Sequence, residues 1–324
     1  MQEKSEEQGK CIQGMCIREK CVRERDMREK CTQVKENAQD GMMDSYEEKR
    51  RKVSGFQLTS DVFFSKAMED LKACQEVIQI LTRQKLEVKA VKTQYSIRNL
   101  ENRSVVLDVL AEDQDGRLVN VEMHPREDED HVRRVRYHLS SIDMSVLEKG
   151  TEFGEIPDTY LIYITEKDFI GTGMGINEVD RVIRQDGHIL DNGVHELYVN
   201  LSGKTDRKEQ RELLDYMKNT DSRYETNTFP HLTEKVRMLK EKKEGIDIMC
   251  DIMERERIEG RTEGETIKLI SLVRKKAMKN VAAEVCADML EENPELIRKI
   301  YRAVQSHFDW EDARIFEEIK SELH

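Results

Sequence analysis

The chain has 324 residues, of which 37% are charged and 37% hydrophobic, and its formal net charge is −12. That length suits one medium core with accessory parts or two small domains, and so polar a chain cannot pack entirely into one core. No run approaches the ~20 apolar residues that cross a bilayer, and the acidic balance argues against broad, non-specific nucleic-acid binding while leaving room for a local basic groove.

The charged start has no signal-like apolar region, so the expected location is cytoplasmic, with no membrane partner. Residues 1–55 read as a charged, Cys-containing, low-complexity leader. Lys10-Cys11, Lys20-Cys21 and Lys30-Cys31 recur at ten-residue steps. A helix drifts by about 80° over ten residues, so these cysteines form no single stripe. The spacing of Cys11, Cys16, Cys21 and Cys31 is unlike the paired C-x2-C knuckles of structural zinc sites. The leader is read as a solvated extension, partly helical or disordered, with metal or redox chemistry as the less favoured reading.

A first helix is expected within 58–84, capped by Ser60, with Phe63, Phe64, Ala67, Leu71, Cys74, Ile78 and Leu81 on one face. Strands follow over 87–98, 104–112 and 118–124. A helix over 128–150 turns Val132, Val135, Leu139, Ile142 and Val146 inward and stops at Gly150. Strands at 159–168 and 193–203 complete an α-β-β-β-α-β order with one further strand, an α/β (α+β) core with a mixed sheet and packed helices. Beyond residue 205 the chain is nearly all helical. Gly260 and Gly264 mark a hinge or a frayed helix, and 265–324 holds two or three short amphipathic helices broken at Pro294. Their charge is mixed, so an adaptor or packing unit is favoured over a DNA-reading helix–turn–helix. The domain boundaries expected are 1–55, 56–205, 206–264 and 265–324.

The chemistry concentrates in the hairpin joined by DQDGR (113–117). A two-residue loop places Asp115 and Gly116 at the turn; a three-residue loop puts Gly116 in the left-handed position and pairs Asp113 with Arg117. Only the second gives a wholly apolar face of Val105, Leu107, Val109, Ala111, Val119, Val121 and Met123. A one-residue slip inverts every side chain, so this clean face selects the register. Asp108 then lies opposite Glu122, with His124 on the same face. Two like charges opposite each other destabilise a sheet unless something neutralises them. A hard divalent cation such as Mg²⁺ does so; the competing reading is an exposed acidic face paired with lysines.

Asp108…Glu122-Met123-His124, set between a first helix and an Arg-rich second helix, resembles the PD-(D/E)XK nuclease fold, the restriction-endonuclease-like αβββαβ core. Further stretches resemble its PD-(D/E)XK nuclease family transposase branch, also described as recombination-promoting nucleases: LTSDVFFSKAMED (58–70), TQYSI (93–97), LDVLAEDQDGRLVNVEMH (107–124), RRVRYHLSSID (133–143), LEKG (147–150), YLIYIT (160–165) and LYVNLSG (197–203). The resemblance spans about 56–320.

It implies a metal-dependent DNA endonuclease linked to recombination or mobile elements, with Asp108 and Glu122 as metal ligands and Glu76 as an accessory acid. His124 stands where the superfamily has Lys and this branch commonly Gln, in reach of the attacking water. An imidazole there also favours Mn²⁺ beside Mg²⁺. Arg133, Arg134, Arg136 and Tyr137 are the expected DNA contacts, and Arg136 and Tyr137 match the branch's R-x-R-Y pattern. Asp61 matches the T-S-D start but suits a role in orienting the first helix. Asn120 shares the polar face, in reach of substrate or water, while His131 and His138 read as surface residues. The alternative is a catalytically inactive nuclease-fold protein serving as a DNA-associated or protein-interaction module. Any homo-oligomer is expected to form through the helical C-terminal region.

Overall fold

The computed structural model describes residues 46–98, 104–125 and 130–322. The leader cysteines Cys11, Cys16, Cys21 and Cys31 lie outside the described residues. The chain divides into two compact units between Met249 and Cys250. No helix among the described residues is long and apolar enough to cross a membrane.

The first unit starts earlier than its apolar pattern indicates. A helix covers residues 46–54 (α1), buries Val53 and pairs Lys49 Nζ with Asp247 Oδ1 at 2.7 Å. The single helix expected over 58–84 is two, α2 (Asp61–Met68) and α3 (Leu71–Thr82). The break is chemical: Asp70 is extended, and its Oδ1 accepts from Lys72 N at 3.1 Å and Ala73 N at 3.0 Å. Those bonds satisfy amides that lack intrahelical partners at a helix start. Leu71, expected inward, is exposed, and Ser60 sits at the α2 cap position without a side-chain cap bond.

Six strands form one mixed sheet: β1 (Val88–Ile97), β2 (Val105–Asp113), β3 (Leu118–His124), β4 (Thr159–Thr165), β5 (Ile176–Val179) and β6 (Val194–Asn200), in the order β1-β2-β3-β4-β6-β5. β1, β2 and β3 are antiparallel neighbours; β3, β4 and β6 are parallel. Between β3 and β4 runs α4 (His131–Val146), a helical crossover of the kind parallel pairing requires. β5, absent from the expected order, closes one edge antiparallel to β6.

The β2–β3 register is that of the three-residue loop. Val109 pairs with Val121, Leu110 with Asn120, Ala111 with Val119 and Glu112 with Leu118. Asp113 N donates to Arg117 O at 3.0 Å, and Gly116 takes φ +83°, where an L side chain is strained. The buried Asp113 carboxylate ties the turn: Oδ1 accepts from Asp115 N (3.0 Å) and Arg117 N (2.8 Å), Oδ2 from Arg117 Nε (2.6 Å).

Val109, Ala111, Val119 and Val121 are fully buried, as their alternation predicts. α2 packs on β1, β2 and β3, and α3 on β1. α4 covers part of the polar strand face, with Val135 and Leu139 against Leu161, Tyr163 and Tyr198, and Ile142 against Leu110 and Leu118, while Val106 on that face is exposed and Glu112 pairs with Lys89 at 2.7 Å. Burying each large apolar group there stabilises the fold by roughly 1.5–3 kcal/mol. The buried stripe of α4 is His131, Val135, His138, Leu139 and Ile142. It is rotated from the expected one, so Val132 and Val146 are exposed. Helices α5 (Lys208–Lys218) and α6 (Pro230–Glu241) pack against α3.

Helix α7 (Lys243–Ala277) continues through Gly260 and Gly264 without a break, in place of the expected hinge. In the second unit its C-terminal part packs with α8 (Ala283–Leu290), α9 (Pro294–Ser306) and α10 (Asp312–Ile319) around Ile270, Val273, Ile297, Ile300 and Phe316. Pro294 opens α9, behind an Asn293 side chain that accepts from Glu295 N and Leu296 N. A first-turn proline needs no amide hydrogen, so it starts this helix.

Candidate active site

The β2–β3 ladder runs from Glu112↔Leu118 to Val109↔Val121, and side chains take over at the next pair. Asp108 Oδ2 accepts from Met123 N at 2.9 Å, and Glu122 Oε1 accepts from Asp108 N at 3.3 Å. Each acid is therefore anchored to the backbone of the opposite strand, and the two carboxylates adjoin. Glu122 is buried and Asp108 half-buried. Burial and the Glu122 charge push Asp108 up to about 8, against the bonds from Met123 N and Gln94. The Asp61 carboxylate, at the start of α2, adds to that rise.

Amide side chains hold both acids. Asn120 Nδ2 donates to Glu122 Oε1 at 2.6 Å and to Val109 O at 3.0 Å. Gln94 Nε2 donates to Asp108 Oδ1 at 3.3 Å and to Ser65 Oγ at 2.8 Å, and Ser65 Oγ donates to Asp108 O at 3.4 Å. Gln94 takes φ +49° within β1, a strained conformation for a non-glycine residue, beside the acid pair.

Two corrections concern α4. His131 and His138, read as surface residues, are buried, because the helix turns that stripe onto the sheet. His138 Nδ1 lies 3.5 Å from Glu122 Oε1. His131 Nδ1 lies 3.1 Å from Tyr163 Oη. His124 is half-buried among aromatic rings: it stacks on Tyr163 with centroids 5.7 Å apart and meets His131 edge-on at 5.4 Å. The histidine at the lysine position is thus held by ring contacts beside the acids.

Glu76, expected as an accessory acid, bonds at the start of α6. Its Oε1 accepts from His231 N at 3.1 Å and contacts His231 Nδ1 at 2.5 Å, while Oε2 accepts from Leu232 N at 2.9 Å. These are the free amides at the start of α6, where the helix dipole favours a negative charge. Glu76 caps α6; the third carboxylate whose charge reaches Asp108 is Asp61.

On the outer side of α4, Arg133, Arg136, Tyr137 and Ser140 are exposed, and Arg134 is half-buried. Ser140 Oγ donates to Arg136 O within its own helix. The guanidinium groups of Arg133 and Arg136 face solvent on the helix whose inner side carries His138.

Among the described residues, no group of three or more His, Cys, Asp and Glu is placed to hold a metal ion. A pair of carboxylates nonetheless suits Mg²⁺, which is commonly held by one or two acids, with waters and phosphate oxygens in its other positions. Asp108 and Glu122 fit that donor set: they are adjacent, largely withdrawn from water, and mutually repulsive when both are ionised. Residues missed by pattern reading are Gln94, Ser65 and His138. The alternation and i+3/i+4 signals that found the acids do not report a strained strand residue or the rotation of a helix about its axis.

Residues 64–265 match the family model described as PD-(D/E)XK nuclease family transposase, a span of more than half the chain. No curated protein and no solved structure matches.

Proposed function

The chain belongs to the PD-(D/E)XK nuclease family transposase family, and from that premise we propose that it is a metal-dependent endonuclease hydrolysing phosphodiester bonds in DNA. The observation that carries this reading is the adjoining Asp108–Glu122 pair, each acid bonded to the backbone of the opposite strand, with burial and the Glu122 charge raising Asp108 to about 8. Like charges opposite each other destabilise a sheet, and a divalent cation held between them offsets that repulsion.

Asp108 and Glu122 would hold Mg²⁺, with Mn²⁺ as the alternative suited to the imidazole nearby. A divalent ion held there supplies Lewis-acid polarisation of the phosphodiester and charge compensation at the leaving oxygen. His124, braced by Tyr163 and His131, orients or deprotonates the attacking water. Arg133, Arg134, Arg136 and Tyr137 hold the DNA backbone by phosphate contacts. The setting is cytoplasmic, with a role in recombination or mobile-element movement and self-association through the C-terminal helices.

The test is nicking of supercoiled plasmid in Mg²⁺ or Mn²⁺ by wild type, Asp108→Ala and Glu122→Ala. Cleavage by wild type, lost in both variants, supports the reading; absence of cleavage, or cleavage that survives both substitutions, ends it. The ring contacts of His124, where a flexible Lys is usual in the superfamily, favour a second reading: a non-catalytic DNA-associated or protein-interaction module. That reading predicts DNA retention without nicking in either metal.

A further inference from the structure

We propose that Asn120 and His138 are positioning residues that clamp one oxygen of Glu122 and leave the other for a divalent cation, an inference that rests on the nuclease reading. The hydrogen bonds to Glu122 all land on Oε1: Asp108 N at 3.3 Å and Asn120 Nδ2 at 2.6 Å, with His138 Nδ1 3.5 Å away. Among the described residues no hydrogen bond reaches Oε2. A carboxylate bonded from two directions through one oxygen, with a third buried polar atom facing that oxygen, has a fixed orientation, and its second oxygen is the one presented to a ligand.

The composition of the clamp is unfavourable for stability alone. Asn120 is fully buried, both its amide hydrogens are used, and its Oδ1 has no hydrogen-bond partner. A buried acceptor left unsatisfied costs about 1–3 kcal/mol, so a valine or leucine is the better core residue at this position. His138 Nδ1 is likewise buried and without a hydrogen bond, and it aims at Glu122 from a different element. Two buried polar side chains, one from β3 and one from α4, converge on the same oxygen. Partners that orient a metal ligand in this way typically contribute 10–100-fold to metal affinity.

The experiment uses the full chain and titrates Mn²⁺ by calorimetry into wild type, Glu122→Ala, Asn120→Ala, His138→Ala and His138→Asn, with plasmid-nicking kinetics alongside. Wild type is expected to bind Mn²⁺ and Glu122→Ala to lose it. Asn120→Ala and His138→Ala should bind about 10–100-fold more weakly, with kcat falling at fixed metal and KM for DNA unchanged. His138→Asn, whose amide can donate from near the Nδ1 position, should regain part of the affinity. Wild-type Mn²⁺ affinity in both alanine variants, with loss in Glu122→Ala, overturns the clamp and leaves the nuclease reading standing. No Mn²⁺ binding and no nicking by wild type overturns both. If an alanine variant fails to show a cooperative melt, Asn120→Ser and His138→Leu are judged by the same affinity criterion.

Discussion

Asp108 and Glu122 each accept a hydrogen bond from the other's strand, Asp108 Oδ2 from Met123 N at 2.9 Å and Glu122 Oε1 from Asp108 N at 3.3 Å. The last regular rung before them is Val109↔Val121. The acids therefore stand where backbone pairing gives way to side-chain pairing. The arrangement fixes both carboxylates firmly and sets their charges against each other.

That repulsion sets a pH dependence. Asp108 is raised from 3.8 to about 8 by burial and by Glu122, so between those values the folded chain binds more protons than the unfolded one. Its contribution to stability is fully present below about pH 4 and is lost as pH rises through about 8, at a slope of at most about 1.4 kcal/mol per pH unit. Thermal melts in chelator should show a Tm that falls from pH 5 to pH 8. Asp108→Asn should flatten that fall and raise the Tm near pH 8 while abolishing nicking. A Tm profile identical to wild type would contradict the charge repulsion.

The turn makes a second expectation. Asp113 is fully buried and accepts from two backbone amides and Arg117 Nε. Asp113→Ala removes both acceptor oxygens and their three hydrogen bonds and should lower stability by about 2–3 kcal/mol in urea unfolding. Gly116→Ala meets no steric obstacle, since nothing lies within 4 Å of an added Cβ, but it must keep φ +83°. Its cost should be smaller, about 1 kcal/mol. The reverse order would mean that the turn is held by glycine geometry and not by the aspartate.

The hairpin was readable from Val/Ala alternation and Asp-Gly because a strand repeats every two residues and a register slip exposes a whole face. Which helix would cover the polar face was not. By pattern, His131 and His138 are surface residues in a helix whose valines at 132 and 146 fall on the apolar stripe. Rotation by about one residue buries the histidines and exposes the valines, and only packing against Leu161, Tyr163 and Tyr198 decides it. Gln94 carries no local signal either: a positive φ at a glutamine is imposed by its surroundings. Glu76 has the charge of a metal ligand and a helical position to match. Its role depends on the start of α6, more than 150 residues away along the chain.

Glu76 consequently yields a separable prediction. Its carboxylate accepts from His231 N and Leu232 N at the α6 N-terminus. Glu76→Ala should cost about 1–2 kcal/mol in urea unfolding, as loss of a cap does, and leave Mn²⁺ affinity unchanged by calorimetry. Glu76→Gln keeps an acceptor and should recover part of the stability. A Glu76→Ala protein that loses Mn²⁺ with unchanged stability would return this residue to the metal site.

Arg133 and Arg136 test how DNA is held. Both are exposed on the outer side of α4, and neither bonds to Asp108 or Glu122 among the described residues. Each phosphate contact releases condensed counterions, so log Kd for duplex DNA should rise with log salt, with a slope of about 0.9 per contact. Arg133→Ala and Arg136→Ala should each weaken binding across unrelated sequences alike and reduce that slope by about 1. Their Mn²⁺ affinity should match wild type, because the guanidinium groups lie on the far side of the helix from His138 and the acid pair. The acidic net charge of −12 sharpens the expectation: a chain repelled by DNA over most of its surface depends strongly on a few local cations, so the double variant should fall to undetectable binding near physiological salt. Fluorescence anisotropy over a salt series measures both slope and affinity. An unchanged slope in both single variants would move the DNA contact away from this helix.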